Sequence, residues 1–199
     1  MRRPVVAALS VVALVLVAGL GWWANARWRE DPADALTIQE LTDAAISTSA
    51  DVDVPMSWSL GPVHSDPAQG PVTVTDVAID AGDGVTLAGV GWMDSRGSKL
   101  AFAESSFPPR SVFARYPGAA DHYRTGLPAG PLPRGSRTWS LVLGLTVDRV
   151  QDVRIRGVRV TYEVDGREQE QTFVLQHTLC GRTPATKDRE CSPILDETP

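Results

Sequence analysis

Between residues 54 and 60 apolar and polar side chains alternate, with Val54, Met56, Trp58 and Leu60 set against Pro55, Ser57 and Ser59. A period of two predicts a strand with one buried face. The rhythm recurs over residues 71–80, 85–92, 99–104, 111–115, 138–147, 153–164 and 171–178, about eight strands in all, separated by Gly, Pro and Asp turns. It is clearest in Trp139, Leu141, Leu143, Leu145 and Val147, where Ser140, Gly144 and Thr146 face away.

Asp165-Gly166 predicts a two-residue hairpin, because both residues tolerate the positive φ angles of a type I′ turn. That register puts Val158, Val160, Tyr162, Phe173 and Leu175 on a core face and Arg159, Thr161, Glu163, Glu168 and Glu170 on a wet one. Ahead of Gly157 the apolar phase inverts to Val153 and Ile155, which predicts a bulge or bend at that glycine.

The N-terminal pattern is different. Residues 4–24 hold only Ser10 as a clearly polar side chain. At about 1.5 Å rise per residue they make a helix of roughly 31 Å, long enough to cross a bilayer. Trp22, Trp23 and Trp28 are expected at the membrane interface, with Arg27 and Arg29 beside them. The competing pattern is a signal peptide cleaved after Ala26, since Ala24-Asn25-Ala26 is small-x-small; the long apolar run and the adjacent tryptophans favour an uncleaved anchor. Residues 30–52 read as a mobile stalk or a short helix, with Thr37-Ile38-Gln39-Glu40 as a capping box ahead of Leu41, Ala45 and Ile46.

The expected fold class is all-β, a two-layer antiparallel β-sandwich preceded by one transmembrane helix. Residues 1–29 form the cytoplasmic tip, span and anchor, 30–52 the stalk, 53–180 the sandwich and 181–199 a tail. The sequence RGVRVTYEVDG from Arg156 to Gly166, followed by a strand ending at Cys180, resembles the closing hairpin of immunoglobulin-like ectodomains on membrane-anchored proteins of GC-rich bacteria. The resemblance covers residues 54–180 and implies an immunoglobulin-like sandwich without implying an activity. No cysteine pair straddles a core tryptophan as in antibody-type domains.

Charge adds a location and a surface. The formal net charge is −5, and Arg2, Arg3, Arg27 and Arg29 all flank the apolar run, which leaves 15 basic against 24 acidic groups over residues 30–199 and argues against a nucleic-acid partner. Residues 106–137 run the other way, with Arg110, Arg115, Arg124, Arg134 and Arg137 against Asp121 alone. The same segment carries Tyr116, His122 and Tyr123, and Tyr with Arg is the pairing enriched at binding hot spots. Arg110, Arg115, Tyr116, His122, Tyr123, Arg124 and Arg134 are therefore the candidate partner contacts. An inert loop covering a sheet edge is the competing reading.

Cys180 and Cys191 suit a disulfide in an oxidising compartment, which places the C-terminal domain outside the cytoplasm of a single-pass membrane protein. Closing that loop of about 12 residues contributes on the order of 2.8 kcal/mol by chain entropy and ties the tail to the domain. Metal ligation by His177, Cys180 and Cys191 lacks a fourth ligand, and copper ligation would draw on His64, His122, His177, Met56 and Met93 without a pattern. No Gly-x-Ser-x-Gly surrounds any serine, and no phosphate-binding loop occurs. No cofactor or metal is expected. These features point to a membrane-anchored extracytoplasmic binding or accessory module of the cell envelope, not an enzyme, with a protein or anionic envelope partner. An envelope hydrolase with a dispersed site and a subunit of a membrane complex are the alternatives.

Overall fold

The computed structural model describes residues 35–38, 45–66, 69–94, 102–132 and 139–194. The expected span over residues 4–24, its anchors Trp22, Trp23 and Trp28, and Arg134 lie outside the described residues. Among the described residues no helix is long and apolar enough to cross a membrane.

Strands β1 (Leu36–Ile38), β2 (Ile46–Asp51), β3 (Met56–Ser65), β4 (Val72–Ala81), β5 (Val85–Asp94), β6 (Ala103–Glu104), β7 (Tyr123–Thr125), β8 (Trp139–Val147), β9 (Asp152–Val164) and β10 (Arg167–Arg182) build two sheets. The first runs β1-β3-β8-β5-β7, with β6 also on β3; the second runs β2-β10-β9-β4. Met56, Trp58, Trp92, Leu141, Leu143 and Leu145 of the first meet Val74, Ile155, Val158, Tyr162 and Leu179 of the second in one core. This is the all-β sandwich that the alternation implies.

The β9–β10 hairpin follows the sequence closely. Val164 pairs with Arg167 across a turn in which Asp165 and Gly166 have φ of 51° and 73°. Val158, Val160, Tyr162 and Leu175 are buried, Phe173 is half-buried against the core, and Arg159, Glu163, Glu168 and Glu170 are exposed. The bend falls at Gly157 as expected: the register of β10 shifts between Val174 and His177, opposite Gly157 and Ile155, and that of β4 shifts at the same place. The extra residue of the first shift lies on β10.

Four expectations are corrected. Residues 36–38 and 46–51 are strands, where a stalk or short helix was expected, because Leu36 and Ala50 enter the core and Ser47 and Ser49 alternate with Ile46, Thr48 and Ala50. Strand β2 pairs with β10 in parallel, so the second sheet is mixed. Val54 precedes β3 and is 40% exposed. Residues 111–115, expected as a strand, lie in helix α1 (Arg110–Arg115), which is followed by α2 (Pro117–Asp121).

Candidate binding surface

The outer face of the first sheet is paved with small side chains. Across β3, β8 and β5 the register aligns Ser57, Gly144 and Gly89 in one row and Ser59, Val142 and Gly91 in the next. Residues 102–125 lie on this floor. The ring of Phe107 covers two adjacent glycines, since a Cβ added at either Gly89 or Gly144 would come within 2.7 Å of it. Tyr123 likewise covers Gly91. Met93 and Val142 of the sheet and Val112 and Ala119 of the layer are buried against one another, with Phe102, Phe107 and Phe113 packed against them. Ser57 and Ser140 face away from the core as expected, yet both are fully buried under this layer.

Polar contacts fix the layer at its start. The Ser57 hydroxyl donates to the Ser106 carbonyl at 2.6 Å, and the amide of Ser59 donates to Phe102 at 2.9 Å. The Glu104 carboxylate accepts from the Ser106 hydroxyl at 2.7 Å and from the amides of Ser111 and Val112 at 2.6 and 3.2 Å, the orphan donors of the first turn of α1. Desolvation pulls the Glu104 carboxyl toward its neutral form, but these hydrogen bonds outweigh it and hold the group below the usual glutamate value. Glu104 and the preceding Pro109 explain why residues 111–115 are helical: the carboxylate satisfies amides that a strand would have paired with a neighbour.

The candidate contact residues divide accordingly. Arg110 and Arg115 are exposed at the two ends of α1, and Tyr116, 42% exposed, joins α1 to α2. Arg124 is exposed on β7, with its guanidinium 5.3 Å from the centroid of the Trp139 ring. Among the described residues no carboxylate pairs with Arg110, Arg115 or Arg124. His122 is half-buried at the end of α2, where its amide donates to Ala119 at 3.3 Å. Tyr123 is spent on packing: its ring meets Phe113 edge-on at 5.1 Å, and burial pushes its hydroxyl up to about 12.

From β7 the chain crosses to the other sheet. The amide of Gly126 bonds Val90 at 3.0 Å, then Ala129 and Leu132 donate to Val74 and Val72 at 3.1 and 2.7 Å. Residues 126–132 therefore cover the edge of β4, α1 exposes Arg110 and Arg115, and Arg124, paired with the core residue Trp92, turns to the opposite face of the sheet.

The C-terminal segment is tied as expected. Cys180 and Cys191 form a disulfide, with Cα atoms 5.9 Å apart. No sequence pattern signals Arg182, which ends β10 and is 3% exposed inside the tied loop. Its guanidinium donates to Asp152 at 2.9 Å and to the carbonyls of Gly181, Arg189 and Glu190 at 2.9, 3.2 and 2.8 Å. On the second sheet, a shallow hollow of about 350 Å³ is lined by Ala78, Ile79, Asp80, Arg159 and Thr172.

The three histidines lie apart: His64 on β3, His122 after α2, and His177 in the core against Trp58. Fold and surface together define an all-β sandwich carrying a helical layer on one outer face. No family model, curated protein or solved structure matches the chain.

Proposed function

We propose that this chain is a membrane-anchored, extracytoplasmic binding module of the cell envelope, whose contact surface is the layer formed by α1, α2 and β7. One observation carries the reading: Arg110, Arg115 and Tyr116 are exposed, and among the described residues no acid pairs with either arginine, on a layer held firmly by Phe107 and Glu104. Rigid backing keeps down the ordering cost of binding, and Tyr with Arg supplies contacts of hot-spot type. The partner is a protein with an acidic contact surface; binding to an anionic envelope polymer is the other outcome that the test below distinguishes. The apolar run over residues 4–24 supports the anchor, and the Cys180–Cys191 disulfide supports the outside location. The β9–β10 hairpin supports an immunoglobulin-like type for the sandwich.

Replacing Arg110, Arg115 and Arg134 with glutamate should abolish cross-linking to the partner in intact cells while thermal unfolding stays nearly unchanged. Exposed charges are screened over about 8 Å at physiological ionic strength, so capture of the partner should also weaken with added salt. A protease-sensitive adduct identifies a protein, and a protease-resistant one a polymer. Undiminished cross-linking in the folded variant would remove this surface from consideration.

A further inference from the structure

His177 sits at the meeting of the two sheets. It is 2% exposed, and its imidazole stacks on Trp58 of the opposite sheet with centroids 4.1 Å apart and planes 29° from parallel. Neither ring nitrogen has a hydrogen-bond partner among the described residues. On its own sheet it lies between Ile46 of β2 and Ile155 of β9, with Leu175 and Leu179 two positions away on β10. Trp58 in turn pairs with Leu143 of β8 and Ala103 of β6. None of these facing groups ionises. The nearest charges along the strands, Arg154 opposite Thr178 and the Arg182–Asp152 pair, belong to positions on the other face of the sheet.

A neutral imidazole fits this apolar contact; an imidazolium has no acceptor there to hold its protons and no counter-charge. We propose that the Trp58–His177 stack is an acid-sensitive lock between the sheets, which opens the β2–β10 side of the sandwich when His177 gains a proton. Strand β2 is the responsive element, because β10 is its neighbour in the sheet and His177 is paired with its first residue, Ile46.

Burial alone lowers the His177 value from 6.5 to about 4. The unfolded chain thus binds the proton first as pH falls. Stability linked to His177 is complete above about pH 6.5, is lost between there and about pH 4, and changes no further below. Over that window the ratio of folded to unfolded protein should fall by more than about a hundredfold through this one group.

The test uses the wild-type chain in detergent and His177→Phe, which keeps a ring against Trp58. Amide-exchange protection of Ile46–Asp51 in the wild type should fall between pH 7 and 5 relative to that of β5 and β8, and His177→Phe should abolish the fall. Proton NMR of the three histidines supplies an independent reading if that variant misfolds: one imidazole should stay neutral to well below pH 6. Three imidazoles titrating near 6.5 with protection unchanged, or an equal fall of protection in the phenylalanine variant, would overturn the proposal.

Discussion

The two sheets of this sandwich treat their outer faces in opposite ways. On the first sheet most outward positions of the central strands are small, Ser57, Ser59, Gly89, Gly91, Ser140 and Gly144 beside the larger Val142 and Met93, and a helical layer packs on them. Outward positions on the hairpin side of the second are long and charged: Asp80 with Arg156 at 2.6 Å, and Arg159 with Glu170 at 3.7 Å, all open to water. Size therefore distinguishes a face awaiting a cover from one that meets solvent. Both alternate with apolar core residues and most positions on both are non-apolar, so polarity alone separates them poorly.

The largest effect should come from putting bulk under the cover. Gly144→Leu drives a side chain into the Phe107 ring and should destabilise the fold by about 2 kcal/mol, whereas Ala78→Leu in the open hollow of the second sheet should change it by less than about 0.5 kcal/mol. Urea unfolding of the two variants measures the difference. Equal effects would mean that the first face is not covered in solution.

A smaller effect belongs to the attachment of α1. Glu104→Gln keeps an acceptor but removes the charge, and should cost about 1 kcal/mol at neutral pH. The folded carboxyl lies below its usual value, so its contribution is present above the unfolded glutamate value and disappears as pH falls through the lower folded one. Thermal midpoints of wild type and variant should accordingly converge in acid. Parallel pH profiles would show that Glu104 does not hold the helix as a carboxylate.

The sequence made the sandwich legible where one face is core and the other wet. In β9 and β10 the alternation, the Asp165-Gly166 turn and the bend at Gly157 all agree with the structure, because each rests on local chemistry. Strands β1 and β2 were harder to see: β1 has three residues, and β2 carries only Ile46 and Ala50 as inward apolar side chains, its place being set by parallel pairing with the distant β10. Helix α1 was missed because its first-turn amides are satisfied by Glu104, six residues ahead of Arg110. Arg110, Arg115 and Tyr116 were legible as exposed positions, but neither the turn of Arg124 toward Trp139 nor the use of the Tyr123 ring to cover Gly91 had a local signal. Phe107 had a partial signal in the paired glycines, visible once Gly89 and Gly144 are known to be neighbours.

The claim that the covered face carries the function is tested most directly by a photoreactive residue placed on each side. Tyr116 on the helical layer and Val174 on the second sheet are 42% and 67% exposed, so both positions accept a benzophenone side chain without disturbing the core. Irradiation of intact cells should give a discrete adduct from position 116 that fades with added salt, and none from position 174. An adduct from 174 with none from 116 would contradict the account and move the binding surface to the charged face of the second sheet.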